Sequence, residues 1–411
     1  MLVPRETWIV FTIRTLNSLG WAATIPFLAV YLEIARGVPL YTIGVTYLVT
    51  GLLTFASQLA GGRLTDSIGP KKVMITGYLV SFAVSVVLGI LLQRNAPVIV
   101  ILVMYPLFSL VRGLSQPATS SIIANQPDSN YGMGFSLLVI AGNLGFAIGP
   151  ALGGILSDIL SYAVVFALSG ITSMIAAVIA QISIKPATRK NRDGLPNVSS
   201  PVKWLQWSED RSVIVFLLLT MCAFVALGYE ITPLSLYVAK FLSFSNTEIG
   251  YLFATNGAVI VILQLPLNRI TNRTKRLVTP LILSCFLIFC SYMIVSASQN
   301  FLDLELAMIV VSIAEIFLTV PAQTITTLFS ETGNRGTYQG YYSGFSSIGR
   351  SFATFIGPVS LQLLAFDPSL SWIMVAAFSA LVGMSFLFLS PKLQKQYEIT
   401  AQRRKVRRSA E

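Results

Sequence analysis

The sequence has no histidine, only three cysteines and few charged residues, which make up 11% of its 411 positions. The absence of histidine excludes His-based catalytic triads, His-ligated metal ions and a histidine proton shuttle. Cys222, Cys285 and Cys290 fall inside apolar runs, with neither a disulfide framework nor metal-ligand spacing. No nucleotide-binding motif and no nucleophile elbow is present. We therefore expect no enzymatic activity, no metal and no cofactor.

Hydrophobic residues, in contrast, make up 54% of the chain and cluster in apolar runs of about twenty residues between Trp8 and Ser390. In hydrocarbon the backbone polar groups must bond within their own segment, so runs of this length form helices. The sequence therefore predicts an all-α polytopic membrane protein with 12 transmembrane helices. The predicted spans are residues 8–32, 41–62, 73–93, 97–125, 132–157, 160–184, 212–239, 247–268, 277–297, 303–329, 336–365 and 370–390.

Basic residues are distributed unevenly between the two predicted sides of the membrane. Of the 28 Lys and Arg residues, 22 lie at the N-terminus, in loops after even-numbered spans or in the C-terminal tail. Only Arg36, Arg94 and Lys240 lie in the opposite loops. Such an excess marks the cytoplasmic side, so we expect a multi-pass protein of the cell (plasma) membrane with both termini cytoplasmic. The net charge of +11 then reports topology and contact with lipid, and we expect no nucleic-acid partner.

The two halves of the chain repeat one another at an offset of 206 residues. The aligned pairs include Ile43-Gly44 with Ile249-Gly250, Gly51 with Gly257, and Gln58-Leu59 with Gln264-Leu265. This register indicates a duplicated unit of six helices, joined by the only long polar segment. The expected parts are a six-helix half at 1–184, a cytoplasmic linker at 185–211, a second half at 212–392 and a basic cytoplasmic tail at 393–411.

A polar stretch between spans 2 and 3, residues 61–72 (GGRLTDSIGPKK), carries four charges. Its spacing resembles the signature loop of the major facilitator superfamily of transporters. The resemblance implies two pseudo-symmetric six-helix halves, parallel around an axis normal to the membrane. It also implies a latch in which Asp66, near the start of span 11, helps to hold the cytoplasmic side closed. Alternatively, the lysines of the same loop neutralise Asp66. The latch residues are Gly62, Asp66, Gly69, Lys71 and Lys72.

Span 4 contains residues 108–116 (FSLVRGLSQ), which resemble the fourth-helix motif of the superfamily, with Arg112 followed by Gln116. At 1.5 Å per residue, Arg112 lies roughly 20 Å from the start of its helix. Burying a guanidinium there is costly unless it is paired or hydrated, so we expect Arg112 to act in coupling or in anion and proton handling. The alternative is a static pair with a neighbouring helix.

Span 5 contains residues 142–154 (GNLGFAIGPALGG), which resemble the G-x-x-x-G-P-x-x-G-G motif of the antiporter branch of the superfamily. The motif residues are Gly145, Gly149, Pro150, Gly153 and Gly154. Glycines every four residues also form a flat face for close helix contact, so a plain packing seam is the alternative. Span 1 carries residues 19–28 (LGWAATIPFL), which are similar to the first-helix motif of drug exporters.

Two carboxylates, Glu315 in span 10 and Glu230 in span 7, lie within the predicted spans. In the architecture implied by the resemblance, spans 1, 4, 7 and 10 line a central cavity. A carboxyl group there suits reversible protonation, so we expect Glu315 to carry the proton, Glu230 to assist and Arg112 to tune the carboxylate. Alternatively, each carboxylate simply pairs with an intramembrane arginine (Arg14, Arg112 or Arg350), or Glu230 reaches the outer interface of the membrane. The predicted cavity residues are Arg14, Trp21, Gln116, Asn143, Phe224 and Tyr229.

Together these resemblances cover nearly the whole chain and imply a secondary active transporter working by alternating access. We expect a multidrug-type antiporter that exports small hydrophobic or cationic compounds in exchange for protons, acting as a monomer in the lipid bilayer. One alternative is a major facilitator that imports a nutrient such as a sugar, organic acid or amino acid. Another is a non-transporting membrane receptor or sensor on the same scaffold.

Overall fold

Twelve helices and no strands make up the part of the chain that the computed structural model describes, residues 4–124, 128–184, 211–273, 278–329 and 335–410. This confirms the predicted fold class. Ten of the helices are long and apolar enough to cross a membrane; the other two are α10 and α11. The helices are α1 (Arg5–Ala35), α2 (Leu40–Ile68), α3 (Pro70–Gln93), α4 (Val98–Ala124), α5 (Asp128–Ile159), α6 (Tyr162–Ser183), α7 (Ser212–Lys240), α8 (Asn246–Arg273), α9 (Thr279–Ala297), α10 (Phe301–Phe329), α11 (Arg335–Leu363) and α12 (Ser369–Ala410).

Two of these helices, α1 and α7, are interrupted near a proline. In α1 the regular helix stops at Ala22 and resumes at Ile25, next to Pro26, before a π-helical turn at Tyr31–Ala35. In α7 a 3₁₀ turn, Gly228–Glu230, precedes a segment that begins beside Pro233. A proline lacks the N–H that continues the helical bonding, so a break at this point is expected. The distance along the sequence between Pro26 and Pro233 is close to the 206-residue offset of the sequence repeat.

The described residues form two compact units. The first contains α1–α6 together with Glu230–Val261 and Thr354–Ala365, and the second contains the remaining parts of α7–α12. The division of the chain at the predicted linker stays a prediction, since residues 185–210 lie outside the described residues. The backbone of the predicted basic tail continues α12 beyond Pro391.

The core at one end of the first unit is a cluster of apolar side chains contributed by α1, α3, α4 and α6. Small residues on α6 allow the helices to approach closely while the larger residues of the other helices fill the space between them. The cluster consists of Val10, Ile13, Val73, Met74, Tyr78, Ala118, Ile122, Ile123, Ala176, Ala177, Ala180 and Ile184.

The glycines of α5 lie directly against α1. A Cβ added to Gly149 would be 2.5 Å from the carbonyl oxygen of Leu19, and one added to Gly153 would be 2.4 Å from that of Ala23. At Gly145 the nearest atom would be Cβ of Ser18, at 2.4 Å. Side chains at these positions would hold the two helices apart, so the close α1–α5 contact requires glycine.

In the second unit, serine hydroxyls form hydrogen bonds across helix interfaces. Ser284 and Ser291 of α9 donate to the carbonyl oxygens of Ala314 and Ala307 of α10, each at 2.7 Å. Ser379 of α12 donates to the carbonyl oxygen of Cys285 at 2.9 Å. Small hydroxyl residues at these contacts satisfy their own hydrogen bonds while they allow close packing.

The close packing of α5 on α1 gives a stability prediction for Gly149→Ala. The added methyl group meets a helix backbone oxygen that cannot move aside, so we expect the free energy of unfolding to fall by about 1–3 kcal/mol. The matched control is Gly340→Ala in α11, where no described atom lies within 4 Å of the added Cβ. There alanine is the better helix former, so stability should be unchanged or slightly higher. Thermal unfolding of the purified proteins in detergent measures both, and equal midpoints would contradict the α1–α5 contact.

Candidate functional site

A cavity of about 510 Å³ opens within the first unit, between α1, α2, α4 and α5. This volume lies in the range of small-molecule sites. One part of its wall is apolar and aromatic, and the rest consists of arginine, amide and hydroxyl side chains. The lining residues are Arg14, Ser18, Trp21, Gln58, Arg112, Gln116, Pro117, Thr119, Ser120, Leu138, Val139, Gly142, Asn143 and Phe146.

Helical periodicity brings the polar residues of α1 and α4 to the same cavity. Arg14, Ser18 and Trp21 are spaced by four and three residues, so they share one face of α1. Arg112 and Gln116 are likewise four residues apart on α4. The structure thus places four of the six predicted cavity residues (Arg14, Trp21, Gln116 and Asn143) in this wall, and adds Arg112.

The guanidinium of Arg112 is held in a fixed position although only 5% of the residue is exposed. Its Nε donates a hydrogen bond to Oδ1 of Asn17 at 3.2 Å. Its Cζ lies 3.8 Å from the ring centroid of Trp21, a cation–π distance. The ring of Phe146 meets Trp21 edge to face at 5.3 Å. The aromatic wall therefore stabilises the cation without neutralising it.

Sequence reasoning missed Asn17, Gln58 and Phe146. Gln58 of α2 donates from Nε2 to Oε1 of Gln116 at 3.1 Å, which links two walls of the cavity. Asn17 and Gln58 could have been identified, because each is an amide side chain inside an apolar run. A buried amide needs a hydrogen-bonding partner. For Phe146 the sequence carries no such signal.

No carboxylate lines this cavity among the described side chains, although two arginines do. Neither Arg14 nor Arg112 forms an ion pair with a described residue, and Arg14 forms no hydrogen bond to one. A charged group away from bulk water normally has a partner. The cavity is therefore a region of uncompensated positive charge.

A second charged group, in the second unit, is the ion pair between Glu315 of α10 and Arg350 of α11. Arg350 Nη2 donates a hydrogen bond to Glu315 Oε1 at 2.9 Å. The side chain of Glu315 is 18% exposed and that of Arg350 is 32% exposed. Arg350 also lies over the ring of Phe224, with Cζ at 5.1 Å from the centroid. Among the pairings left open by the sequence, the structure thus shows Glu315 with Arg350, whereas the contacts of Arg112 are Asn17 and Trp21.

The remaining predicted residues of α7 are buried. Glu230 is 4% exposed and lies at the end of the 3₁₀ turn, in the first unit. Tyr229 is 4% exposed and packs against Trp372 and Tyr292, with ring centroids at 6.1 and 6.4 Å. Phe224 is 2% exposed beneath Arg350. Tyr229 therefore belongs to an aromatic packing cluster, and the cavity wall described above contains neither tyrosine nor phenylalanine from α7.

The comparisons with known proteins fit this architecture. Residues 10–354 match the family model of the Major Facilitator Superfamily. The chain belongs to the major facilitator superfamily. Among its relatives is an MFS-type transporter of Bacillus subtilis, YqjV, which is 22% identical over 95% of this chain and 94% of that protein. Another is the multidrug resistance protein MdtH of Shigella dysenteriae, which is 23% identical over 95% of this chain and 90% of that protein.

Solved structures show the same fold at low sequence identity. A peptide transporter POT in complex with sulfate superposes with a TM-score of 0.76 at 15% identity and covers 95% of each chain. The nucleoside transporter NupG gives a TM-score of 0.73 at 14% identity, and the match covers 94% of this chain and 99% of the NupG chain. This major facilitator is accordingly a multi-pass membrane transporter.

The signature loop of this major facilitator is described only in part. Gly69 separates α2 from α3 with φ at +91°, a conformation that favours glycine. Lys71 Nζ donates to the carbonyl oxygen of Gln181 at 2.8 Å, which ties α3 to α6. The side chain of Asp66 lies outside the described residues, so its predicted latch contact stays a prediction. No described atom would contact a Cβ at Gly62.

A different carboxylate, Asp158 at the end of α5, holds the start of α8. Its Oδ2 accepts hydrogen bonds from the backbone N–H and the hydroxyl of Thr247, both at 2.7 Å. Its Oδ1 accepts one from Nδ2 of Asn246 at 2.9 Å. The N-terminus of a helix carries partial positive charge and unsatisfied N–H groups, which a carboxylate stabilises. Lys240 and Glu33 form an ion pair that joins the ends of α7 and α1.

Sequence reasoning did not identify Asp158, because it lies at a helix end where a carboxylate is unremarkable. We predict that Asp158→Ala loosens the first turn of α8. The loss of the cap should cost about 1 kcal/mol, so backbone amides near Thr247 should exchange several-fold faster. Hydrogen exchange followed by mass spectrometry of peptides from this turn measures the effect.

The control for this prediction is Asp303→Ala in the first turn of α10. The Asp303 carboxylate forms no hydrogen bond with a described residue, so its removal should leave exchange at the start of α8 unchanged. Equal exchange near Thr247 in Asp158→Ala and in the wild type would contradict the capping role of Asp158.

Proposed function

We propose that this major facilitator is a proton-coupled secondary transporter working by alternating access, with Glu315 as its proton carrier. The observation that carries the proposal is the Glu315–Arg350 ion pair, formed by side chains of two neighbouring helices and only partly exposed. Both residues lie in helices predicted from the sequence to be spans, where an ionisable group is costly and is typical of proton and substrate pathways.

Protonation of Glu315 would change the partners of Arg350. A neutral carboxyl group no longer attracts the guanidinium electrostatically, whereas the ring of Phe224 still offers a cation–π contact. Proton uptake therefore weakens a link between α10 and α11 without leaving Arg350 unsupported. This is the type of local event that can bias a transition between two conformations. Glu230, at the break in α7, is proposed as an assisting carboxylate, and Arg112 as a residue that responds to the charge of the substrate.

The resemblance of α5 to the antiporter motif supports export as the first mode. In this mode protons enter and small hydrophobic or cationic compounds leave, as in a multidrug-type antiporter. The loop around Asp66 would close the cytoplasmic side in one state, and the Asp158 contacts with α8 would close the opposite side in the other. We propose that the transporter acts as a monomer in the plasma membrane, with both termini in the cytoplasm.

The charge of the cavity favours a second mode, uptake of an organic acid together with protons. Arg14 and Arg112 face a common space with no described carboxylate beside them. This arrangement attracts anions and repels cations. The direction in which protons move when substrate is added separates the two modes.

The test uses purified protein in liposomes that contain a pH-sensitive dye, with no gradient imposed. The added compounds are tetraphenylphosphonium and 2-naphthalenesulfonate, because neither of these permanent ions carries a proton through lipid by itself. We expect one of them to move protons in the wild type. Antiport makes the lumen more alkaline as compound enters, and co-transport makes it more acidic. Glu315→Gln, which cannot bind a proton at this position, should abolish the signal.

Glu6→Gln is the matched control. Glu6 is an exposed carboxylate in the first turn of α1, so its neutralisation should leave proton movement unchanged. A signal that survives in Glu315→Gln would assign the proton to another group. Compound uptake by the wild type without any proton movement would overturn the proposal of proton coupling.

A further inference from the structure

We propose that the cavity between α1, α2, α4 and α5 binds the anionic group of an amphipathic organic acid between Arg14 and Arg112, with its apolar body against Trp21 and Phe146. The inference rests on the proposed transport function and names the substrate class for it. It concerns soluble compounds that bear a carboxylate or a similar oxyanion, in contrast to the cationic compounds expected from sequence.

The two arginines have unused hydrogen-bonding capacity. A guanidinium has five N–H donors in a planar arrangement that matches a carboxylate. Arg112 uses one of them, Nε, on Asn17, and Arg14 bonds to no described residue. A ligand carboxylate can therefore accept hydrogen bonds from both residues without displacing an ion-pair partner.

The two arginines also favour an anion electrostatically. Two guanidinium groups that line one cavity repel each other, and that repulsion is stronger in surroundings of low dielectric constant than in water. No described carboxylate in the wall offsets it. A bound anion would interact favourably with both cations at once. A cation would add a third positive charge, so the cavity discriminates by the sign of the ligand's charge.

Arg112 is held in position by its neighbours within the protein. Its hydrogen bond to Asn17 and its stacking on Trp21 restrict the guanidinium to one orientation. Restricting a side chain in advance lowers the entropy lost on binding. Trp21 and Phe146, in edge-to-face contact, then offer an aromatic surface next to the cationic group. This combination fits a ligand with an apolar ring system and one acidic group.

Gly142 of α5 lies next to the guanidinium of Arg14. A Cβ at Gly142 would come within 3.9 Å of the Arg14 Nε, so this glycine keeps the helix surface next to the guanidinium free of a side chain. Leu138, Val139 and Asn143 of the same helix line the cavity on either side of it. The α5 wall is therefore apolar at Leu138 and Val139 and polar at Asn143.

The experiment measures binding, so it does not depend on proton coupling. Wild-type protein in nanodiscs of neutral phosphatidylcholine is titrated calorimetrically with 2-naphthoate, 2-naphthamide and 2-naphthylmethylammonium. These probes share one ring system and differ in charge. We expect 2-naphthoate to bind at least tenfold more tightly than the amide, and the ammonium compound to bind most weakly. Equal or tighter binding of the amide or the ammonium compound, or no binding of 2-naphthoate, overturns the proposal.

Variants assign the effect to the two arginines. Arg14→Gln and Arg112→Gln should each weaken 2-naphthoate binding at least tenfold and leave amide binding within about twofold, because only the charged contact is lost. Arg112→Lys keeps the charge and serves if the glutamine variant fails to fold; it should retain part of the preference for the anion. Arg94→Gln, which removes an exposed arginine outside the cavity, is the matched control. Unchanged 2-naphthoate binding in both cavity variants overturns the assignment.

An anionic lipid headgroup offers the same chemistry as a soluble acid. Nanodiscs in which part of the phosphatidylcholine is replaced by phosphatidylglycerol distinguish the two sources. Unchanged affinity for 2-naphthoate supports a site for soluble acids, and competition by the lipid overturns it in favour of a headgroup site. Charge-selective binding in a protein that moves no protons would uphold this inference while the proposed proton coupling fails.

Discussion

A charge within a predicted membrane span is costly without a partner, and this constraint acts on Arg14, Arg112 and Arg350. The three residues are compensated to different degrees. Arg350 has the carboxylate of Glu315 and the ring of Phe224. Arg112 has an amide and an indole ring, which stabilise it but leave its charge in place. Arg14 has an open cavity beside it. The degree of compensation thus falls from one arginine to the next, and the least compensated residues lie where a ligand can reach them.

The cavity also depends on how closely the helices around it approach one another. Glycines on α5 bring its backbone against α1, and Gly61 of α2 would place a Cβ 2.3 Å from the carbonyl oxygen of Leu114 in α4. Gly113 of α4 similarly faces Ser57, with a Cβ position 1.9 Å from Oγ. Close contacts on these faces fix the positions of the helices that carry Arg14 and Arg112. The glycines therefore contribute to the site without touching a ligand, through the spacing of its walls.

Much of the fold follows from the sequence alone, because the requirement to satisfy the backbone in hydrocarbon acts on each segment separately. Twelve apolar runs predict twelve helices, and the periodicity of a helix is enough to place Arg14 and Trp21 on one face. Contacts between side chains of different helices cannot be predicted in this way. That Arg350 pairs with Glu315, and that Tyr229 packs on Trp372, depends on helix rotation and contact, which no local pattern encodes. Asp158 was missed for the same reason: its role exists only because the start of α8 lies beside it.

The charge of the substrate and the mode of transport are connected by electrostatics. A proton adds one positive charge to the groups within the spans, and a bound monovalent anion removes one. A carrier that moves both together crosses the membrane with the same net charge loaded and empty. A carrier that exchanges them alternates between two states that differ by two charges, which is costly in surroundings of low dielectric constant. For a cationic substrate the reverse holds, and exchange against a proton keeps the charge constant. If the two uncompensated arginines hold an anion, the same physics therefore favours co-transport with the proton on Glu315, and the antiporter-like glycines of α5 are then explained by their packing against α1.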